Sequence, residues 1–316
     1  MIEQVKQYMH LIADYSKKET EVGAVLEDAL NASGKMFRTK LLLFCASLGP
    51  CYEEKKEKLC KLAAMVELTH LASLIHDDIV DDSPYRRGKI SIQGKYGKDA
   101  AVYAGDFLMA RIYYYEAVER LNESAALLSK TVEYMCTGEI GQDLCRYRED
   151  VSVEEYFQNI QGKTAALFET ACHIGAMEAG CSQEMIEKLK LFGRNLGMMF
   201  QLKDDILDFT SDMDEIGKET HKDFQNGIYT FPVIKALENK QAKEILYPIM
   251  EENRGRRLED AEIIKIESCV LEYGGVEATY QEIQSLAKEN RQILKEMQGA
   301  QEAILPLWKL MDELEA

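Results

Sequence analysis

The sequence predicts an all-α protein, on three observations. Apolar residues recur at helical spacing through most of the chain, as in Leu59, Leu62, Ala63, Val66 and again in Val276, Tyr280, Ile283, Leu286, Ala287. Alternating apolar and polar runs of the kind a half-buried strand requires are nearly absent. Only five prolines occur, and the 147 residues from 85 to 231 contain none, so nothing in that stretch forces a helix to break.

This patterning predicts helices over 1–16, 20–32, 36–48, 54–81, 99–121, 123–147, 152–179, 182–210 and 229–238, with several short ones after 241. Gly34-Lys35-Met36-Phe37-Arg38 reads as a helix start with two basic residues, and the helix it opens holds the longest apolar run, Leu41 to Leu48, a core segment. The helix over 54–81 ends before Ser83-Pro84-Tyr85-Arg86-Arg87-Gly88-Lys89, where Pro84 and Gly88 mark a loop. Tyr113-Tyr114-Tyr115, within 99–121, reads as core, and His76 as a packed or solvated helix histidine. The helix over 182–210 runs into Ser211-Asp212 and a polar loop with Gly217-Lys218. No Pro/Gly/Ser-rich linker divides the 316 residues, so one domain over 1–316 is expected.

A formal net charge of −17 argues against nucleic acid or an anionic membrane surface as partner. An anionic small substrate remains compatible if metal and local Lys/Arg reverse the field. The start Met1-Ile2-Glu3-Gln4 does not read as a signal peptide and no run reads as a transmembrane segment. Eight cysteines form no Cys-x-x-Cys pair and have no histidine at ligand spacing; buried thiols in a reducing cytoplasm are expected.

The chemistry is concentrated in a duplicated motif. Asp-Asp-x-x-Asp occurs as Asp77-Asp78-Ile79-Val80-Asp81 and again, 127 residues later, as Asp204-Asp205-Ile206-Leu207-Asp208. In a helix Asp81 lies about 40° from Asp77 and about 60° from Asp78 on the other side, so the carboxylates crowd one arc and repel. With 18 aspartates in the chain, about 0.06 such motifs would arise by composition. Each copy ends a helix, where the dipole disfavours acids, so an idle acidic end is the poorer reading and a counterion the better one. Mg²⁺ is the expected cation, a hard ion bound by one or two carboxylates together with substrate phosphates. Two aspartate-tipped helices in a bundle can face each other across one cavity mouth. Arg86-Arg87, a solvated pair in isolation, becomes a diphosphate clamp in this setting because guanidinium grips phosphate oxygens bidentately. Lys163-Thr164, and the Gln201 that precedes the second motif, are ordinary when read alone.

Together these parts resemble the trans-isoprenyl (polyprenyl) diphosphate synthases. The resemblance rests on Leu74 through Asp82, Arg86-Arg87-Gly88, Gly105-Asp106, Lys163-Thr164, Gly197, Phe200-Gln201 through Asp208, Gly217-Lys218, Lys222-Asp223 and Thr230-Phe231-Pro232, in order over about 30–235. It implies a single-domain helical bundle of the isoprenoid synthase type around a central cavity, a cytoplasmic homodimer or a chain with a small helper subunit. The implied substrates are isopentenyl diphosphate and an allylic diphosphate. The implied reaction is ionisation of the allylic diphosphate, attack by isopentenyl diphosphate and proton loss. Asp77 and Asp81 resemble metal ligands on one wall and Asp204 on the other, with Asp78, Asp205 and Asp208 acting behind them or through water. Arg86, Lys163, Gln201 and Lys218 resemble the grip on the allylic diphosphate, and Lys163 and Thr164 the catalytic polar groups near the developing cation. Gly34, Lys35, Arg38 and Arg87 resemble the isopentenyl diphosphate pocket, and Gln93 is counted with the substrate-binding residues.

Three positions depart from the family pattern: Gln93 stands where a histidine is common, Ile228 where a second lysine is usual, and Thr39 where a proline follows Arg38. Intact aspartate motifs and a basic isopentenyl pocket argue against a class I terpene cyclase and against a non-catalytic partner subunit. Ala72 and Ser73, one turn below Asp77, are small, as is Thr69 below them. In the family that the chain resembles, a bulky aromatic at this place is the floor that halts chain growth, so the small residues imply a long-chain polyprenyl product over farnesyl or geranylgeranyl diphosphate, with Met65 and Val66 deeper and Phe107 as an intruding aromatic.

Overall fold

Helical periodicity becomes helix almost everywhere in the computed structural model, which describes residues 1–14, 20–31, 34–210, 222–254, 256–297 and 301–315. The first part holds α1 (Ile2–Ile12), α2 (Glu21–Asn31), α3 (Phe37–Ala46), α4 (Lys56–Val80), the hairpin β1 (Tyr85–Arg86) with β2 (Lys89–Ile90), α5 (Ile92–Tyr96), α6 (Lys98–Val118) and α7 (Asn122–Leu144). Then come α8 (Val153–Ile160), a π-helical turn over Gln161–Ala165, α9 (Ala166–Glu178) and α10 (Gln183–Thr210). The last part holds α11 (Lys222–Gln225), α12 (Phe231–Ala236), α13 (Lys240–Glu252), α14 (Asp260–Glu272), α15 (Gly275–Glu296) and α16 (Gln301–Glu315).

Four expectations need correction. The helix over 152–179 is interrupted by the π turn, because one extra residue is accommodated there. The helices after 241 are not short: they run 13, 13, 22 and 15 residues, with Pro248 and Pro306 inside two of them. A proline removes one backbone bond and bends a helix, and packing of the apolar face carries it through. The first helix ends at Ile12, and the hairpin and α5 are too short for periodicity to register. Tyr113 and Tyr114 are 48 % and 57 % exposed, so they are not core.

The described residues fall into two compact units. The first comprises 1–132, 167–193 and 299–306. Its spine is α4, whose residues from Leu62 to Thr69 are all buried, packed on α1, α3 and α6. A helix apolar all round is a core helix. Among the described residues it is also the one helix long and apolar enough to cross a membrane, and most of it is buried, as in a core helix. That corrects the placing of the longest apolar stretch at Leu41 to Leu48.

The second unit comprises 133–166, 194–298 and 307–316. In it α8 packs on the π turn and on α12. A capping box opens α8, with Ser152 and Glu155 each accepting from the other's backbone N–H. Tyr156, Phe157 and Phe231 form an aromatic cluster with ring centroids 5.3 to 5.6 Å apart. The fully buried Asn253 donates to the carbonyl of Phe224, fixing α11. Four of the eight thiols (Cys45, Cys60, Cys172, Cys269) are buried, whereas Cys136 is exposed and three are intermediate, so the expectation of buried thiols holds for half of them.

Candidate active site

The first aspartate motif sits on a helix end built to stop there. α4 closes at Val80, Asp81 is its C-cap, and Asp82 adopts φ +48°. The Ser83 N–H donates to the Asp78 carbonyl at 2.9 Å and the Asp82 N–H to the Ile79 carbonyl, the double bond of a Schellman ending, made here with Asp rather than Gly in the left-handed position. Gln93 Nε2 adds a third donor to the same end, 2.6 Å from the Asp78 carbonyl. The three carboxylates then part ways. Asp78 is 5 % exposed and accepts from Arg86 Nε at 2.7 Å. Asp77 is half-buried and Asp81 exposed. Arg86 is thereby held under the motif by β1, while the central residues of the hairpin, Arg87 and Gly88, both take positive φ (51° and 74°), as a two-residue turn of this hand demands. His76, beside Asp77, lies 3.4 Å from Asp106 Oδ1, and Gly105 leaves room for its ring.

Behind the hairpin lies a basic pocket. The tip of the Arg87 side chain lies against Gly34, in the space that a side chain there would take. Arg38 stacks 4.4 Å from the Phe168 ring centroid and its buried Nε has no hydrogen-bond partner among the described residues. Burial first, then Arg87, bring its guanidinium down to about 10, with Glu67 opposing. Thr39 donates to Glu67 at 3.0 Å, and burial pushes the Glu67 carboxyl up. Next to them burial, then Arg38, Arg87 and Arg86, drive the His70 imidazole well below its usual value. A buried donor left unmet costs about 1 to 3 kcal/mol, and here it belongs to a cation that has Arg87 as well as Glu67 for neighbours. The pocket suits an anion.

The second unit holds a directed chain of hydrogen bonds. Thr164 Oγ1, in the π turn, donates to Gln201 Oε1 at 2.8 Å. Gln201 Nε2 donates to Asp205 Oδ1 at 3.0 Å, and Tyr156 donates to Asp205 Oδ2. Asp205 is 1 % exposed; burial pushes its carboxyl up to about 7, with Asp223 and Asp204 adding and the two donors opposing. Asp204 is exposed. Lys163 Nζ lies 3.1 Å from Glu139.

The sequence-selected residues thus form three sets: Asp77, Asp81, Arg86 and Gln93 at the end of α4; Gly34, Arg38 and Arg87 in the basic pocket; Lys163, Thr164, Gln201 and Asp204 along the π turn and α10. Lys35 is exposed. Lys218 lies outside the described residues. Gln93 is 8 % exposed and spends its amide on Asp78, whereas the imidazole near the arginines is His70, which motif reasoning does not select. A signal for it exists: seven residues before Asp77, two turns of one helix, it shares that face. Tyr156 escapes for a different reason, since the π turn shifts the phase between it and Lys163. Among the described residues no three His, Cys, Asp or Glu form a ready-made metal cage; the oxygen donors Asp77 and Asp81 suit a hard cation that completes its shell with water and phosphate. Two surface hollows, against His10, Asp14 and Glu27 and against Lys55, Lys58 and Glu119, contain none of these residues.

The chain is similar to known proteins over most of its length. A heptaprenyl diphosphate synthase component 2 from Geobacillus stearothermophilus is 34 % identical over 270 residues, 83 % of this chain and 80 % of the relative. Among solved structures, a polyprenyl synthase from Caulobacter crescentus CB15 complexed with calcium and isoprenyl diphosphate has a TM-score of 0.87 at 26 % identity, covering 99 % of this chain and 92 % of the other. A geranylgeranyl pyrophosphate synthase from Lactobacillus brevis ATCC 367 has a TM-score of 0.85 at 28 % identity, covering 99 % and 95 %. The polyprenyl synthetase family model matches residues 19–266, and the chain belongs to that family, with its all-α isoprenoid synthase fold.

Proposed function

We propose that this protein is a Mg²⁺-dependent prenyltransferase that joins isopentenyl diphosphate head to tail with an allylic diphosphate and repeats the step to a long-chain trans-polyprenyl diphosphate. The observation that carries this reading is the basic pocket, where the buried Arg38 Nε has no hydrogen-bond partner among the described residues and Arg87 lies against Gly34, in a chain of this family. Such a pocket is assigned to the diphosphate of isopentenyl diphosphate, with His70 near its arginines and the exposed Lys35 proposed as a further contact. Arg86, Lys163, Gln201 and Lys218 are assigned to the allylic diphosphate.

Asp77, Asp81 and Asp204 are the proposed metal ligands. Mg²⁺, when bound, neutralises charge on the departing diphosphate. Arg86 is already fixed by Asp78, so it meets the leaving group without reorganising. The carbon–oxygen bond breaks with its electron pair going to diphosphate, the double bond of isopentenyl diphosphate attacks the allylic carbon, and a proton leaves. Thr164 points its O–H at Gln201 and so turns its lone pairs toward the other side, where a cation is stabilised. An apolar enclosure protects that cation from water.

Long products are supported by the small side chains of Ala72 and Ser73 below Asp77, and by a relative named as a component of a heptaprenyl diphosphate synthase. The two compact units are proposed to act as one catalytic domain over 1–316, in the cytoplasm, where the eight free thiols stay reduced. A homodimer is proposed as the working state. The name "component 2" of the Geobacillus relative supports a second reading, in which a helper chain is required. Incubation of the purified chain with radiolabelled isopentenyl diphosphate, Mg²⁺ and each allylic primer tests both. Label in long extractable products supports the first reading, label only after adding a second chain supports the helper, and a cyclised hydrocarbon from the primer alone overturns both.

A further inference from the structure

We infer that Tyr156 is a positioning residue for the transfer step, acting through Asp205 and Gln201 to set the direction of the Thr164 hydroxyl. The inference rests on the prenyltransferase reading above and adds a residue and a task to it. Four side chains form one line: Thr164 Oγ1 donates to Gln201 Oε1 at 2.8 Å, Gln201 Nε2 donates to Asp205 Oδ1 at 3.0 Å, and Tyr156 donates to the other oxygen, Oδ2. The line has a polarity. An amide has one donating and one accepting end, so the end that Asp205 draws fixes the end offered to Thr164. With the amide oxygen turned toward Thr164, the hydroxyl must donate there and its lone pairs face away. Were the amide reversed, the hydroxyl would accept from the amide and direct its proton outward instead. A carbocation is stabilised by lone pairs and repelled by an outward O–H, so the orientation matters to the reaction and not to the fold.

Tyr156 is the anchor of this line. It is 6 % exposed, its ring is clamped by Phe157 and Phe231 at 5.5 and 5.6 Å, and it sits in a helix whose start is fixed by a capping box. By holding Oδ2 it leaves Oδ1 of Asp205 as the acceptor for Gln201. Asp205, without such a donor, can rotate and release the amide. The π turn supplies the other half of the geometry by placing Thr164 within reach of Gln201 on a separate helix.

The test uses the full chain, with Tyr156→Phe, Asp205→Asn and the double variant, each checked for folding by thermal melting. Tyr156→Phe keeps the clamped ring and loses only the hydroxyl. The expected result is a kcat about tenfold lower, the size of one hydrogen bond to a charged group, with the KM of both diphosphates changed less than about twofold. Asp205→Asn should lower kcat at least as much, because its amide can now donate to Gln201 and reverse it. The double variant should be no worse than Asp205→Asn alone, as for members of one line. Unchanged kcat in folded Tyr156→Phe overturns the inference, as do losses that multiply in the double variant or a change in KM without one in kcat. Should Tyr156→Phe fail to fold, Asp205→Asn decides, with its Mg²⁺ requirement measured alongside: a kcat loss at constant KM and an unchanged Mg²⁺ requirement upholds the inference, and kcat at the wild-type level or a loss that extra Mg²⁺ restores overturns it. Wild-type protein that incorporates no isopentenyl diphosphate would instead count against the prenyltransferase reading.

Discussion

The Arg87 guanidinium occupies the space a side chain on Gly34 would need, although the two residues belong to separate segments, the hairpin after α4 and the approach to α3. Arg87 is held in the left-handed region at φ +51°, a conformation that costs a non-glycine residue about 1 kcal/mol or more. The two-residue turn between β1 and β2 imposes that conformation and so fixes where the Arg87 side chain departs from the backbone.

Gly34→Ala is therefore expected to act like a change to Arg87. It should raise the KM for isopentenyl diphosphate about tenfold with little effect on the KM for the allylic primer, as should Arg87→Lys, which keeps the charge and loses the fork. Arg86→Lys should do the reverse. Steady-state kinetics with each substrate varied in turn reads the split; equal effects on both substrates would contradict separate pockets.

The end of α4 is open to sequence reasoning because everything there lies on one helix. The i, i+1, i+4 spacing of Asp77, Asp78 and Asp81 carries over directly to three dimensions, and Pro84 and Gly88 mark the turn beyond it. The division of labour is not legible in the same way, because tertiary contacts impose it: Asp78 goes inward to Arg86 while Asp81 stays out, and Gln93 is consumed by the helix end. Arg38 and Lys35 are legible as basic residues near a helix start, but the burial that makes Arg38 a waiting donor comes from Phe168, 130 residues away in the chain. The π turn at Lys163-Thr164 is invisible, since a single extra residue in a turn leaves no mark on apolar periodicity.

Ala72 lies in the buried run of α4 at 1 % exposure, one turn below Asp77. If the growing prenyl chain passes that point, Ala72→Phe should shorten the product sharply while the first condensations proceed at near the wild-type rate. Chromatography of dephosphorylated products checks this. A wild-type enzyme that already stops at the farnesyl stage would refute the open floor.

Glu116, on α6, is 6 % exposed, and burial pushes its carboxyl up to about 7. Its folded value thus exceeds its unfolded value, so the folded state holds a proton that the unfolded state has released between about pH 4.5 and 7. The stability tied to that proton is full below the unfolded value and lost as pH rises through 7. Glu116→Gln should abolish this slope and stabilise the protein by up to about 3 kcal/mol at pH 8, with little change at pH 4. Thermal melts of the two proteins across that range would show converging curves at low pH; parallel curves would contradict the assignment.

The most direct test is the initial rate of radiolabel incorporation by the wild type, Asp77→Ala, Asp81→Ala and Asp204→Ala as Mg²⁺ is varied from zero to saturation. Loss of one electrostatic contact to a departing charge typically costs about a hundredfold or more. The prediction is no incorporation by the wild type without divalent metal, full activity with it, and at least that loss for each folded variant. Folded variants that keep near wild-type rates, or a wild type indifferent to metal, would contradict the role given to the two aspartate motifs.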